Sequence, residues 1–486
     1  MRNRTFVVLV LTCVSGCVHA PPQVDRVASV SATPGQLWTP PPAAVRADQL
    51  PQVPVPPDLA PRMQRLTLAD VIDVSLRNNP TTHASWEEAR AAAYAYGGAQ
   101  ERFLPTIDAS ASIGRSQSLA VAGRTTSTAR TQYGPSLTLT YLLLDFGGRA
   151  GVIETARQNL FAAGLTHNAA VQNTVFIVES AYFTYMATKA LLVAQQSLLQ
   201  EAQANLDAAK QRHAVGLSTI ADVLQAETAL SQVRLSLETT QGNLQATRGA
   251  LATAMGFPAN APYDVTAAPE AIPVGAVAVT VDSLIEAAIR DRPDLQAARA
   301  EARASTAQIR VARSAGLPSV TLEGNAGRTY ANPSLYGGSS YGVSVGVQIP
   351  LSTAVTNRAA VLGAQALAAA AAAHADELRQ QVIEQVFTSY YALQTATQRV
   401  TTADDLLRSA TASEQVAAGR YREGVGSIID LLTAQSALAD ARAQQVQARW
   451  QWSTALAQLA HDAGVLGVHG EAALGLTTRP DTTVTP

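Results

Sequence analysis

The stretch Arg420–Leu438 decides the fold, and it reads RYREGVGSIIDLLTAQSAL. An earlier stretch, Arg212–Leu230, reads RHAVGLSTIADVLQAETAL and repeats the same pattern. The central glycines Gly216 and Gly424 lie 208 positions apart, and the Ala-Leu ends coincide at the same offset. A glycine supplies the left-handed backbone angle that closes one helix, and a Ser or Thr followed three residues later by Asp opens the next. The sequence therefore predicts the same helical hairpin twice.

The two hairpins belong to a tandem duplication. Residues 66–80 match residues 279–293 at an offset of 213 positions, and the Leu-Pro pair at 104–105 recurs at the same offset. A segment rich in Pro, Gly and Ala separates the two copies, which is typical of a linker. The predicted boundaries are a first repeat at 62–255, a linker at 256–278, a second repeat at 279–465 and a flexible C-terminal tail at 466–486.

The sequence pattern of each repeat predicts the same elements in the same order. They are a helix broken near its start by proline, a strand, a polar loop, a second strand, a long helix and a returning helix. Residues 136–143 and 343–349 alternate between polar and apolar with a period of two, which predicts strands. Proline is absent from 149–213 and 358–421, so each long helix should extend on the order of 95–100 Å. The other predicted spans are helices 68–102 and 281–314, strands 106–113 and 319–327, loops 114–132 and 328–340, and returning helices to 255 and 463.

Amphipathic strands of this length suit a membrane β-barrel. Each chain supplies only four of them, and four strands cannot close a barrel. Open sheet edges are not tolerated in lipid, so the barrel must be shared between copies of the chain. Three copies would give an even number of strands within the bacterial range. The sequence thus predicts a mainly α subunit with membrane β, in an obligate oligomer.

The amino terminus carries export signals. Met1–Arg4 is a positively charged region, and Phe6–Leu11 is an apolar run too short to span a bilayer, which is typical of a signal peptide at 1–16. Val14–Cys17 looks like a bacterial lipobox, which predicts lipidation of Cys17; ordinary secretory cleavage beside an incidental cysteine is the alternative. Residues 17–61 are rich in proline, and we expect an extended strap from the lipid to the folded body.

Composition argues against several functions. The formal net charge is −2 and only 15% of the residues are charged, with no basic cluster, so nucleic acid is not an expected partner. Both cysteines, Cys13 and Cys17, lie in the first twenty residues, and the seven histidines are scattered without ligand spacing, so no metal or other cofactor is expected. No catalytic motif is visible, and an enzyme is not predicted.

This combination resembles the TolC-like outer membrane factor family. The two hairpin motifs carry the resemblance, and Leu144–Arg149, which reads LDFGGR, looks like the family's entry to the long helix. Cys17 and the proline strap resemble the OprM/NodT-like lipoprotein branch. The resemblance implies a homotrimer with a twelve-stranded β-barrel in the outer membrane, continuous with a twelve-helix periplasmic α-barrel. It also implies an exit duct recruited by a periplasmic adaptor (a membrane fusion protein) and an inner-membrane pump, of the RND type.

The resemblance places functional residues at the hairpin ends. Asp222 and Asp430 are predicted to be helix caps at the periplasmic gate, and Asp430 would also form an acidic ring that narrows the closed mouth. The family's arginine and second acidic residue at this gate correspond to Gly426 and Thr433, so an identical ion-pair closure is not expected. The remaining candidates are a hydrophobic constriction at Leu431 or Leu432 and adaptor-docking tips at Val215, Gly216, Leu217, Gly424 and Val425.

Other classes of function stay open. The duct could serve efflux of small molecules or, alternatively, type I protein secretion. A periplasmic adaptor lipoprotein would carry one hairpin beside a lipoyl-like domain, and a lipid-anchored coiled-coil spacer would form no pore. Two hairpins with two amphipathic strand pairs favour the outer membrane channel over both.

Overall fold

The computed structural model describes residues 60–117, 129–266, 279–332, 337–351 and 354–466. Cys17, most of the proline strap, residues 267–278 of the linker and the predicted tail after 466 lie outside the described residues. The described chain contains two copies of one series of elements. Its helices and strands are α1 (Leu68–Asn78), α2 (Pro80–Gln100), β1 (Thr106–Ser116), β2 (Arg130–Leu144), α3 (Gly148–Ala214), α4 (Ile220–Ala254), α5 (Val281–Asp291), α6 (Pro293–Ser314), β3 (Ser319–Asn332), β4 (Gly337–Gln348), α7 (Ala354–Arg422) and α8 (Ile428–Asp462).

Local chemistry sets the helix boundaries. Thr67 caps α1 in a capping box with Asp70, and Thr280 caps α5 at the equivalent position. Pro80 and Pro293 occupy the first positions of α2 and α6, where their missing N–H groups cost nothing and their rings prevent continuation from the preceding helix. The predicted breaks by proline are confirmed at both sites. The two short helix pairs, α1–α2 and α5–α6, therefore begin and bend in the same way.

The long helices have the lengths expected from the sequence. Helix α3 has 67 residues and α7 has 69. At about 1.5 Å per residue each extends on the order of 100 Å. Their bounds agree with the predicted 149–213 and 358–421 to within a few residues. Among the residues that the structure describes, no helix is both long and apolar enough to cross a bilayer.

The four strands form one antiparallel sheet in the order β1-β2-β3-β4. Register places like side chains opposite each other: Tyr141 pairs with Leu322, and Leu322 pairs with Val345. Directly opposed residues share a face of the sheet, so one face is apolar across all four strands and the other is polar. The apolar face includes Ile107, Ile113, Leu137, Leu139, Tyr141, Leu322, Val343, Val345 and Val347. The polar face includes Asp108, Ser110, Ser136, Thr138, Thr140, Glu323, Asn325 and Ser344.

The strands extend further than the sequence suggested. The segments 114–132 and 328–340 were expected to be loops, yet β3 runs to Asn332 and β4 begins at Gly337. Backbone pairing continues to Tyr330 opposite Gly337, and the Tyr330 ring stacks on Tyr133 with centroids 5.4 Å apart. The loop predictions were wrong at their ends because backbone pairing does not require alternating polarity in the side chains.

The interior lies between the helices. A large cluster joins α3, α5, α6, α7 and α8 around Trp452, whose Nε1 donates a 3.0 Å hydrogen bond to Thr397 Oγ1. Helix α3 contacts elements of both repeats, so the two repeats pack into one helical body.

Hydrogen bonds from α3 hold the segment that follows α4. Asp264 accepts hydrogen bonds from Lys189 Nζ at 2.8 Å and from the Tyr185 hydroxyl at 3.2 Å. Burial opposes ionisation of Asp264, but the hydrogen bond from Lys189 and its charge hold the pKa of this carboxyl below its usual range. The neighbouring residue Val265 forms a parallel bridge with Leu66. This bridge joins the segment before α1 to the segment after α4, at the two ends of the first repeat.

Candidate functional site

The turns of the two helical hairpins have the same backbone geometry. Gly216 and Gly424 both have φ of 76°, in the left-handed region that a side chain disfavours. The amide of Leu217 donates to the carbonyl of Arg212, and the amide of Val425 donates to that of Arg420. These bonds satisfy carbonyls that the ending helix leaves free. We call the segments 211–224 and 419–432 the hairpin tips.

Both predicted gate aspartates take part in capping boxes. Asp222 Oδ2 accepts a 2.9 Å hydrogen bond from the backbone amide of Thr219, and Asp430 Oδ2 accepts a 3.4 Å bond from that of Ser427. The hydroxyls of Thr219 and Ser427 accept in return from the aspartate amides. Each carboxylate also lies in the first helical turn, where the helix dipole favours negative charge. Both aspartates are thus helix caps, and Asp430 is in addition exposed to solvent.

An arginine joins the two hairpin tips. Arg212 Nη1 donates a 2.7 Å hydrogen bond to the carbonyl of Tyr421, and the guanidinium lies 4.6 Å from the centre of the Tyr421 ring. The Tyr421 hydroxyl is buried, and no hydrogen-bond partner for it lies within the described residues. Sequence reasoning missed Arg212 as a functional candidate, although it is the first residue of the repeated motif. Nothing in a single sequence shows that its partner lies on the other hairpin.

A small apolar cluster lies beside the tips and takes residues from both hairpins. It contains Ala202, Leu206, Ala209, Val223, Ala226, Leu230 and Ile428, with Leu432 partly buried against it. Leu431 is only 3% exposed. Helical periodicity places Leu431 on the buried face of α8 with Ile428 and Leu438. A constriction at Leu431 or Leu432 stays a prediction. Leu432 retains partial exposure.

The predicted docking residues lie at the turns. Val215, Leu217 and Val425 are 69%, 71% and 68% exposed, and Gly216 and Gly424 are exposed between them. Apolar side chains at this level of exposure gain nothing from the fold of one chain. Grouped at two neighbouring turns, they are typical of a contact surface for another protein.

The polar face of the sheet carries negative charge. Asp108 lies opposite Thr138, and Glu323 lies between Thr140 and Ser344. Arg328 belongs to the face that also carries Leu322 and Tyr330, whereas Arg130, opposite Ser116, lies at the end of the polar face. Any space enclosed by the polar face would therefore be lined by hydroxyls, amides and carboxylates, with Arg130 at one end.

Glu179 lies half-buried in α3, away from the tips. This partial burial raises the pKa of the Glu179 carboxyl to about 7. Among the described residues, no group of three or more His, Cys, Asp or Glu side chains could hold a metal ion. The candidate site consists of the exposed hairpin turns, the capping carboxylates and the contact between Arg212 and Tyr421.

The chain belongs to the outer membrane efflux protein family, whose model matches residues 71–257 and 284–465. It is 29% identical to Protein CyaE of Bordetella pertussis over 89% of this chain and 90% of that protein. It is 27% identical to the pyoverdine export outer membrane protein OpmQ of Pseudomonas putida over 68% of this chain and 69% of that one. The crystal structure of the Campylobacter jejuni CmeC outer membrane channel superposes with a TM-score of 0.73, at 19% identity, over 85% of this chain and 87% of that one.

These comparisons confirm the family resemblance and the TolC-like fold expected from the repeated hairpin motifs. They also confirm the predicted class of function, which is that of an outer membrane efflux protein. The family is one of channels and not of enzymes.

Proposed function

We propose that three copies of this chain form an exit duct that passes small molecules across the periplasm and the outer membrane. The observation that carries the proposal is the sheet. Within the described chain its outer strands β1 and β4 each pair on one side only, and its apolar face is exposed. A lone sheet of this kind is not stable in lipid, whereas three copies joined edge to edge would close a barrel of twelve strands.

The helices extend this duct. Helices α3 and α7, on the order of 100 Å each, leave the same sheet and end at neighbouring hairpin tips. In the trimer they would continue the barrel through the periplasm, with the polar sheet face lining the lumen. The tips would form the periplasmic mouth, where Asp222 and Asp430 supply an acidic ring and Leu432 supplies an apolar constriction. The exposed turns at Val215, Leu217 and Val425 would dock a periplasmic adaptor that recruits an inner-membrane pump of the RND type.

The membrane anchor completes the proposal. Acyl chains on Cys17 would hold the amino terminus at the outer membrane, because each buried CH₂ contributes about 0.8 kcal/mol. Labelled palmitate should be incorporated into the native chain and not into a Cys17→Ser variant. Equal incorporation in both would place the acyl chains elsewhere or exclude this anchor. The duct itself would carry no catalytic activity and no cofactor besides this lipid.

The experiment that tests the duct uses the purified full chain in mild detergent. Native mass spectrometry should find a trimer, and insertion into planar bilayers should produce ion-conducting channels. Deleting the gene should increase the accumulation of small hydrophobic drugs in the source bacterium, and the native gene should restore export. A monomer without conductance would contradict the proposal. Conductance combined with an unchanged drug response and a lost secreted protein would favour the type I secretion alternative.

A further inference from the structure

Helix α6 carries four arginines on one face. They follow each other at spacings of four, seven and three residues, which place them along one side of a helix: Arg299, Arg303, Arg310 and Arg313. The acidic residue in the middle of α6, Glu301, lies two positions from Arg299 and therefore on a different face. Positive charge is thus concentrated on one side of this helix, although the whole chain has a formal net charge of −2.

The four arginines differ in the partners they have. The two further from the sheet bond within the chain: Arg299 Nη1 donates to a backbone carbonyl of α5 at 3.0 Å, and Arg303 Nε donates to Gln158 Oε1 at 2.9 Å. The two nearer the sheet, Arg310 and Arg313, are exposed. Within the described residues, their side chains form no hydrogen bond and no ion pair. The described fold therefore makes no use of these last two guanidinium groups.

A third arginine without such partners lies at the start of α7. Gly316, in the turn between α6 and β3, lies against Asn357 of α7. Arg358 is the next residue, and it is exposed. In the part of the chain that the structure describes, its side chain also forms no hydrogen bond and no ion pair. It is the only Asp, Glu, Lys or Arg residue between positions 329 and 375. A lone positive charge thus lies beside the end of α6.

Arg358 lies on the same side of the helical wall as Arg310. Its counterpart 208 residues earlier is Ala150, which shares a face of α3 with Glu154 at a spacing of four. Arg157 donates a 2.9 Å hydrogen bond to Glu154, and this bond, aided by the charge of Arg310, lowers the pKa of the Glu154 carboxyl. Arg310 is therefore close to that face of α3, and the unpaired arginines of α6 and α7 border the sheet on one side.

That side of the wall is the outer one in the proposed duct. Helix α5 lies on the same face of α6, further from the sheet, where it accepts the bond from Arg299. A duct with three copies of α5 inside its wall would be obstructed, so α5 belongs on the outside. The arginines that share this face then point away from the lumen, just below the membrane-embedded strands.

Exposed apolar side chains lie between these arginines and the sheet. Leu317 precedes β3, and Ile349 and Leu351 follow β4; Leu351 is 85% exposed. Arg313 lies about 9 Å along the helix from the first residue of β3, and Arg310 lies about 14 Å from it. In the proposed barrel the leucines would border the hydrocarbon of the bilayer. The arginines would then lie at or just below the polar headgroups.

We propose that the basic cluster, defined as Arg310, Arg313 and Arg358, binds the phosphate groups of anionic phospholipids in the periplasmic leaflet of the outer membrane. Guanidinium groups form short, charge-assisted hydrogen bonds with phosphate oxygens. An anionic leaflet attracts basic residues within roughly one Debye length, by about fivefold in affinity for each residue. Leu317 and Leu351 would contact the acyl chains. The inference rests on the proposed duct and assigns its lipid preference.

Lipid retention by the purified full-length trimer tests this proposal. In native mass spectrometry, native trimers should retain phosphatidylglycerol in preference to phosphatidylcholine of the same acyl chains, which has no net charge. The double variant Arg310→Gln/Arg313→Gln should reduce this preference about thirtyfold, and Arg358→Gln about fivefold. Arg399→Gln/Arg408→Gln, at two exposed arginines of α7 nearer the hairpin tips, is the matched control and should keep the native preference. Equal melting of all variants in phosphatidylcholine would exclude unfolding as the cause.

Two further arms identify the ligand. Inorganic phosphate, added at constant ionic strength, should not displace the retained lipid because it lacks acyl chains, and Leu351→Ser should weaken retention of both lipids without changing their ratio. Displacement by inorganic phosphate would make the cluster a site for free anions and overturn the proposal. Co-sedimentation with purified peptidoglycan sacculi tests a different anionic partner. Binding of sacculi by the native chain, lost in Arg310→Gln/Arg313→Gln and without any lipid preference, would assign the cluster to the cell wall instead.

The outcomes separate this proposal from the duct. If native trimers conduct ions yet retain both lipids equally, or if Arg310→Gln/Arg313→Gln keeps the native preference, the lipid site is wrong while the duct stands. If the native chain forms no trimer, both proposals fail, because only the duct places the basic cluster beside lipid.

Discussion

Arg212 of the first hairpin and Tyr421 of the second are joined twice, by a 2.7 Å hydrogen bond to the Tyr421 carbonyl and by a guanidinium lying 4.6 Å from the ring centre. The two hairpins must separate at this point if the periplasmic mouth widens. Bistable movement of packed helices is a common way to switch such a structure. The contact is therefore a candidate for holding the closed state.

We predict that Arg212→Ala increases the open fraction of single channels in planar bilayers by more than tenfold. Cation–π contacts and hydrogen bonds to charged donors each contribute about 1 kcal/mol or more, so losing both, about 2 kcal/mol, should shift the equilibrium about thirtyfold. Arg212→Lys should have a smaller effect because it keeps the charge but loses the planar fork. Arg422→Ala, at an exposed arginine of the second hairpin tip, is the control. Equal conductance for Arg212→Ala and the native chain would exclude the contact from the gate.

The two roles of Asp430 can be separated by one substitution. Asp430→Asn keeps an acceptor for the Ser427 amide but removes the charge, whereas Asp430→Ala removes both. We expect both variants to weaken cation selectivity in bilayers, and only Asp430→Ala to destabilise the start of α8, by about 1 kcal/mol. Hydrogen exchange of the first turn of α8 measures the second effect. If Asp430→Asn keeps native selectivity, the residue is a cap and no more.

The two faces of the sheet predict opposite results for neighbouring residues. Val345 lies on the apolar face, and Ser344 lies on the polar face opposite Glu323. Val345→Arg should destabilise the inserted protein by about 2–4 kcal/mol if it faces lipid at mid-depth, as judged by denaturant titration in liposomes. Ser344→Arg should leave stability nearly unchanged and shift ion selectivity towards anions. If Ser344→Arg destabilises the protein and Val345→Arg does not, the polar face contacts lipid and our assignment of the two faces is wrong.

Glu179 gives a prediction with a defined pH window. Its folded pKa of about 7 lies above the ordinary value of 4.5, so the folded state binds more protons than the unfolded chain between these values. Stability contributed by the protonated form is present below about pH 4.5 and is lost as the pH rises through about 7. Glu179→Gln should therefore raise the melting temperature at pH 8, by an amount equivalent to about 2 kcal/mol, and change it little at pH 4. Glu238→Gln, at an exposed residue of α4, should leave the melting temperature unchanged at both pH values. If Glu179→Gln and the native chain melt at the same temperature at pH 8, ionisation of Glu179 does not destabilise the fold.

Local sequence patterns accounted for most of the elements. The period of two identified all four strands, and the absence of proline identified α3 and α7 almost to their ends. The capping boxes at Thr219–Asp222 and Ser427–Asp430 were visible because both partners lie within one turn of the chain. The ends of the strands were less predictable, because backbone pairing continues beyond the residues that alternate between polar and apolar.

By itself the sequence determined the repeated architecture, because turns, caps and periodicity depend on residues close together in the chain. Only the tertiary structure decided which side chains meet across the repeats. Arg212 contacts Tyr421 across 209 positions of the chain, and Leu431 is buried within the helical body. The structure also separated Gly98 from Gly151, two helical glycines that look alike in sequence. Gly151 packs against a neighbouring helix, whereas Gly98 faces open space. That difference depends on how the helices pack, which no local sequence pattern encodes.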